Sequence, residues 1–262
     1  MKFRTDPPQT PIVRRQSFGG WKKSAIGPGT KAGGPNYLHA LVDWADAAVE
    51  DAGRAPRPPS AGLLHAAQDA GVSEDDLAWL RAAFSTDTAA WEEEFGIARD
   101  ASQLGIERNL LRYLPVPVTV RIAADASLAQ TIRALGAGLA AGATPLVSSP
   151  VALPQPLVSA LDDAGVEIHF EDDAAWADRV RRMAAMDGAQ ASARIRIVAG
   201  ASRLEQVAAV HDAAEGKPDI AVYGGAVVSA GRVEMLPYLR EQAVSITAHR
   251  FGTPHHLSDG LL

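Results

Sequence analysis

The second half of the chain predicts an α/β fold built on a doubly wound, mostly parallel sheet, and three observations carry that reading. After Pro115, short apolar or alternating runs recur with amphipathic helical stretches of roughly ten to fifteen residues between them, the rhythm of βαβ units. Across 262 residues, 47% are hydrophobic and 21% charged, enough apolar material for a packed core. There is no cysteine, so neither a disulfide scaffold nor thiolate metal ligation competes with that reading.

The elements follow in order. Val118, Val120 and Ile122 alternate with Arg121 as a first strand. Leu128, Ile132, Leu135 and Leu139 are spaced by four, three and four as a helix, with Asp125 and Ser127 placed to cap it. Pro145 to Val147 is a strand, a helix carries Leu157 and Leu161, and Val166, Ile168 and Phe170 alternate with Glu167 and His169. Trp176, Val180 and Met183 mark a helix, and Ile195 and Ile197 a fourth strand. Ser202 and Glu205 have capping-box spacing before a helix with Leu204 and Val207. Ile220 to Tyr223, a helical turn near Met235 to Leu239, and Val244 to Thr247 complete the series.

The first half reads differently. Residues 1–36 are rich in Pro, Gly and cationic residues and predict extended loop. Leu38, Leu41, Val42, Ala45 and Val49 then fall on one helical stripe, with Pro35 suited to its first turn. The run from Arg54 to Ser60 is a proline-rich boundary. Residues 61–114 alternate helical patterns with breakers: Ser73 and Asp76 have cap spacing ahead of Leu77, Leu80 and Phe84, and Glu92 to Glu94 form a solvated face.

Charge and motifs exclude several functions. The net charge of −6, without basic runs, gives no footprint for a nucleic-acid backbone. No apolar run approaches 18 residues and no export leader is evident, so the expected location is cytoplasmic, with no membrane span. A nucleotide fingerprint G-x-G-x-x-G does not follow the first strand, and Gly136-x-Gly138 falls inside a helix, where glycine permits close packing. Neither G-x-x-x-x-G-K-[ST] nor G-x-S-x-G occurs. His249, His255 and His256 cluster near the C-terminus but read as exposed, and no metal site is assigned. His169 and His211 show no acidic partner by spacing.

The segment from Lys31 to Asn36 is the best local candidate for chemistry. Gly33 and Gly34, just before a Pro-initiated helix, could present successive backbone N–H groups to a carboxylate, aided by about half a positive charge from the helix dipole. On local features alone the pair reads first as a tight turn.

The blocks Arg15 to Ser24 (RQSFGGWKKS) and Gly27 to Leu38 (GPGTKAGGPNYL) resemble the C-terminal end of the catalytic domain of L-glutamate γ-semialdehyde dehydrogenase, or 1-pyrroline-5-carboxylate dehydrogenase, a branch of the aldehyde dehydrogenase superfamily. Glu107 to Pro115 and Leu239 to Thr247 are similar to the extra C-terminal domain of the long actinobacterial and proline utilisation A forms. The resemblance implies that Phe18 lines an aldehyde pocket and that Gly33 and Gly34 anchor the substrate carboxylate, which favours the anion reading of that pair. Some relatives carry an aromatic residue at the position of Leu41, and proline is usual where Ser17 stands.

The resemblance also implies an organisation: 1–53 as the incomplete tail of the catalytic domain, 54–115 as a helical linker, and 116–262 as a Rossmann-like accessory domain without a nucleotide motif. The catalytic cysteine and the NAD-binding domain of the parent enzyme have no counterpart here, and Ser148 stands where the superfamily has a ribose-contacting lysine. The expectation is therefore a fragment that is inactive alone, with no cofactor of its own although the complete enzyme uses NAD. The 243–254 segment is expected to help close the active site or a channel. The implied partner is the missing N-terminal catalytic half or a cognate subunit, and a homo-oligomer is possible. The alternative is a stand-alone binding or scaffold module derived from that enzyme.

Overall fold

A computed structural model describes residues 17–20, 25–47, 51–186 and 193–256. Two helices, α1 (Pro58–Asp69) and α2 (Glu74–Ala90), lead into a π-helical turn at Trp91–Phe95. A short β1 (Arg99–Asp100) and a long β2 (Glu107–Pro115) follow. The βαβ series is then β3 (Thr119–Ile122), α3 (Leu128–Ala140), β4 (Leu146–Ser149), α4 (Gln155–Asp163), β5 (Glu167–Phe170), α5 (Asp173–Ala185), β6 (Arg194–Val198), α6 (Arg203–Ala213) and β7 (Ala221–Tyr223). A short α7 (Gly231–Glu234), a 3₁₀ turn at Leu236–Tyr238, β8 (Leu239–Thr247), β9 (His249–Arg250) and β10 (Thr253–Pro254) complete the described elements.

The protein is mixed α/β with a parallel five-stranded sheet, ordered β5-β4-β3-β6-β7. Apolar residues of α1 to α4 cluster with Val120, Ile122 and Val147. A second cluster joins Trp176 and Val180 of α5 and Val210 of α6 to Ile195 and Ile197. Because apolar clusters lie on both sides, the polar alternates of the strands are buried too. Arg121, between two core residues of β3, is 0% exposed, and Arg196 on β6 is 2% exposed. Alternation that would mark a half-wet strand elsewhere here marks one whose charged positions need buried partners.

Those partners are present. Arg196 forms two hydrogen bonds with the Glu234 carboxylate, at 2.8 and 3.1 Å, joining β6 to α7. Arg133 on α3 donates twice to Asp87 on α2, both at 2.8 Å, and again to the carbonyls of Val228 and Ser229. The two α3 glycines allow the close approach that this geometry needs. A Cβ on Gly136 would lie 2.3 Å from the Phe84 ring, and one on Gly138 would lie 2.7 Å from the Tyr238 ring. Gly136-x-Gly138 is thus a packing feature, made against a helix and a 3₁₀ turn.

Several expectations need correction. The residues expected in a helical linker over 54–115 are helical through Phe95, but 107–115 is β2, paired antiparallel with β8 along its length from Glu107 opposite Thr247 to Pro115 opposite Leu239. Val244 to Thr247 therefore belongs to a separate sheet, ordered β1-β2-β8. A pairing between segments this distant in sequence leaves no local periodicity signal. The helix expected from Asn36 is only a 3₁₀ turn at His39–Leu41. Leu38, Leu41 and Val42 are 66%, 71% and 50% exposed, and an apolar stripe with nothing to bury against cannot offset the cost of nucleating an isolated helix. Val49 of that stripe, residues 1–16 and the Trp21 to Ser24 end of the first resemblance block lie outside the described residues.

Capping follows sequence at two sites and departs from it at a third. Ser73 accepts from the Asp76 N–H, and Ser127 from the Gln130 N–H. Ser202 makes no side-chain cap on α6; its N–H and hydroxyl turn to Asp125, which therefore does not cap α3. The Arg133–Asp87 pair yields a direct expectation. Asp87→Ala strands a guanidinium at the centre of the core, so urea denaturation should show a loss of about 3–5 kcal/mol.

Candidate functional site

The Gly33-Gly34 turn is held from both sides. Phe18 and Ala32 exchange two backbone hydrogen bonds, at 2.9 and 2.6 Å, which places the FGG block alongside the turn. Gly33 has φ +72, a left-handed conformation that glycine adopts without penalty. A Cβ on Gly34 would lie 2.9 Å from the Lys31 carbonyl oxygen and 3.2 Å from Ser17. Phe18 is 55% exposed, so its ring lies at the surface and not in a core.

The anchoring residue is Glu241 on β8, which the sequence did not single out. One carboxylate oxygen accepts from the Lys31 N–H at 2.8 Å and the other from the Asn36 side-chain amide at 2.6 Å. The Asn36 amide also donates to the Tyr113 hydroxyl at 3.0 Å, and that hydroxyl donates to Glu94 at 2.9 Å. Burial first, and then the Glu94 charge, raise the Tyr113 pKa, so the hydroxyl stays a donor. Glu94 also meets Arg232, so this member of the acidic run is structural, while Glu92 and Glu93 lie near Arg54 as an exposed pairing.

These contacts change the expected chemistry of the turn. The Gly34 N–H donates to the Lys31 carbonyl at 2.9 Å, closing a tight turn. With only a three-residue 3₁₀ turn downstream, no helix dipole reinforces the amides. What the structure brings together is the Gly33-Gly34 turn, the FGG block beside it, and an exposed apolar face formed by Tyr37, Leu38, Leu41, Val42 and Trp44.

At the carboxyl end of the parallel sheet, the crevice between β3 and β6 is spanned by Asp125. Its carboxylate accepts from the Gly200 N–H at 3.2 Å, the Ser202 N–H at 2.8 Å and the Ser202 hydroxyl at 2.7 Å. The Ser202 N–H and hydroxyl bonds are the main cause holding the Asp125 pKa below its ordinary value. Between β3 and β4, the Arg121 guanidinium donates to the Ser148 hydroxyl at 2.9 Å and to the Glu171 carbonyl at 3.0 Å, pairs with Asp173 at 2.6 Å, and lies over Trp176. His169 lies 2.7 Å from Glu167, two positions earlier on the same strand face, a partner visible only once the strand is drawn. Among the described residues no group of three His, Asp or Glu could hold a metal, and no helix is long and apolar enough to cross a membrane.

No protein-family model matches the chain, and no curated protein does. Among solved structures, proline utilization A from Corynebacterium freiburgense is 30% identical with a TM-score of 0.57, over 93% of this chain and 20% of that one. The chain thus spans about a fifth of the length of that protein. A proline utilization A mutant from Bradyrhizobium japonicum is 17% identical over 71% of this chain and 23% of its own, with a TM-score of 0.41. An NAD-dependent benzaldehyde dehydrogenase from Corynebacterium glutamicum is 14% identical over 65% and 40%, with a TM-score of 0.40. The last two share too little structure with this chain to carry an argument about function.

Two outcomes are expected from the geometry. Glu241→Leu leaves the Lys31 N–H and the buried Asn36 amide without their acceptor, so stability should fall by about 1–3 kcal/mol, with faster amide exchange across 31–36. For Asp125 the folded pKa is depressed, so its contribution is present above about pH 4 and lost as pH falls through the folded value. Asp125→Asn should flatten that part of the acid limb in a plot of Tm against pH.

Proposed function

We propose that this chain is the C-terminal portion of an NAD-dependent L-glutamate γ-semialdehyde dehydrogenase of proline catabolism. In this reading it supplies the substrate carboxylate anchor and an accessory domain, and is inactive without the catalytic portion. The supporting observation is 30% identity to proline utilization A across 93% of this chain. The division into a catalytic-domain tail (1–53) and a doubly wound, Rossmann-like accessory domain (116–262) belongs to the same proposal, with 54–115 packed on that domain through α1, α2 and β2. So does its placement in the cytoplasm.

In the proposed role, Phe18 borders the aldehyde chain and the amides of Gly33 and Gly34 receive the carboxylate. The Gly34 N–H must leave the Lys31 carbonyl to do so. A neutral hydrogen bond worth about 0.5–1.5 kcal/mol is then exchanged for a charge-assisted one worth about 1.5–3 kcal/mol, so the exchange favours binding. The exposed face at 37–44 is where the catalytic portion would dock, giving Leu38, Leu41 and Val42 the burial they lack.

The accessory domain does not fit NAD. A dinucleotide on such a sheet sits at the carboxyl ends of the strands with its pyrophosphate at a helix N-terminus. Here that crevice holds the Asp125 carboxylate, which repels phosphate, and Arg121 with Ser148 fills the neighbouring space. No step of the reaction is therefore assigned to this domain.

Co-expression with a cysteine-bearing catalytic portion should yield NADH production from 1-pyrroline-5-carboxylate, with Gly33→Ala raising KM roughly tenfold and leaving kcat little changed, because a Cβ disfavours the left-handed backbone at φ +72 that orients the amide by about 1–2 kcal/mol. Persistent inactivity of the reconstituted pair would overturn the assignment. Micromolar NAD binding by the chain alone, measured by calorimetry, would overturn the account of the accessory domain.

A further inference from the structure

A cavity of about 650 Å³ opens at the amino-terminal edge of the parallel sheet, away from the crevice closed by Asp125 and bordering the Gly33-Gly34 turn through Lys31. Its floor is formed by the first residues of the strands, Thr119, Leu146 and Arg194, and one wall by Arg240 to Ala243 of β8. The other wall is the segment running from Ala25 to Lys31, with Gly19 and Gly20. The volume is that of a small-molecule site.

The lining is rich in donors, and its cations are held in an unusual way. Arg194 donates to the carbonyls of Pro237, Leu239 and Pro28, at 2.9, 2.7 and 3.3 Å. The Lys31 ammonium donates to the carbonyls of Gly19 and Gly20, at 2.6 and 2.9 Å. Both cations are therefore positioned by neutral acceptors, which fix their geometry without cancelling their charge. Arg240 lines the same space; burial first and then Arg194 lower its pKa, while for Lys31 burial lowers the pKa, Glu241 opposes that, and Arg240 adds a smaller lowering. Gln242, whose side-chain carbonyl oxygen accepts from Arg112 at 2.7 Å, also lines the cavity and keeps an NH2 donor.

Two carboxylates oppose this charge. Glu241 already spends both oxygens on the Lys31 N–H and Asn36, and Asp219 lies at the rim. The α3 C-terminus, near Thr144, adds about half a negative charge. Three cations, one on the floor and one on each wall, nevertheless converge on this space, and a bound anion would relieve the repulsion between them.

We propose that this cavity binds a small organic or inorganic anion, carboxylate or phosphate, at Arg240, Lys31 and Arg194, with Gln242 as a further donor. The cavity borders the Gly33-Gly34 turn, yet the inference does not need the dehydrogenase assignment, because its test reads anion binding by the chain itself.

Isothermal titration of the full chain with sodium phosphate and with glutarate, at ionic strength matched by sodium chloride, distinguishes the two anions. Saturable binding of at least one is expected, displaced by excess of the same anion. Arg240→Gln should weaken it at least fivefold with an unchanged far-UV circular dichroism spectrum. Gln242→Leu, at a half-buried strand position, gives a second reading and should weaken binding about threefold. Heats no larger than those of the chloride control, or binding that neither variant weakens, would overturn the proposal.

Discussion

The Glu241 carboxylate is the contact on which the arrangement of the candidate site depends. It sits on the last long strand, 210 positions from the Lys31 N–H that it accepts. It is 8% exposed, so its two acceptors are not traded against water, and the donors that reach it must arrive in a fixed geometry. Through it, a glycine turn that has no secondary structure of its own is held to a strand whose position is set by its ladder with β2. The Phe18–Ala32 bridge then fixes the FGG block to that same turn. A segment that would be loop in isolation is thereby given one conformation by a domain to which it contributes little core.

The parallel-sheet domain achieves its own rigidity with guanidinium groups. Lys31 and Lys217 are the described lysines, and among the described residues every fully buried cation is an arginine: Arg121, Arg133 and Arg196. The choice follows from geometry, since each must satisfy acceptors lying in several directions. Arg133 reaches a carboxylate and two carbonyls, and Arg196 a carboxylate and the carbonyls of Tyr223, Gly225 and Ala226. A lysine has three donors on one atom and could not span these. The consequence is a domain whose polar interior is occupied by its own side chains.

Much of the βαβ series was legible because its signals are local. The α3 spacing from Leu128 to Leu139, the Ser73 and Ser127 caps and the alternation around Ile195 and Ile197 each depend on neighbours within a few residues. What escaped was nonlocal. Pairing β2 with β8 requires knowing that Tyr113 lies opposite Glu241, and nothing near either residue encodes that. Asp125 was read as a cap for the helix beside it, yet it serves Ser202, 77 positions away. At the site, the glycine pair was legible because its backbone requirement is local, whereas Glu241, Asn36 and Tyr113 became visible only as a cluster. The stripe at 38–49 failed for a different reason. Its period is helical, but a period forms a helix only when a surface exists to receive the apolar face, and here Leu38 and Leu41 face outward.

That failure has a bearing on how the site and its surroundings fit together. If the 37–44 face were intrinsically helical it would present a preformed ridge, and a docking partner would meet a finished surface. As it stands, the apolar side chains extend from irregular backbone tethered at two points: Asp46 accepts from Trp79 and from Ser229, and the Asn36 amide donates to Glu241. Both tethers run to the domain, and neither uses the apolar side chains. The turn at 33–34 is thereby held in place, while Leu38, Leu41 and Val42 on the adjoining face stay exposed for whatever covers them. Ordering such a face has an entropic cost of about 1–2 kcal/mol per backbone residue, and the tethers have already met part of it. A partner that covers Leu38, Leu41 and Val42 would therefore meet a glycine turn already closed by the Gly34 N–H to Lys31 carbonyl bond, with the apolar contacts left to organise.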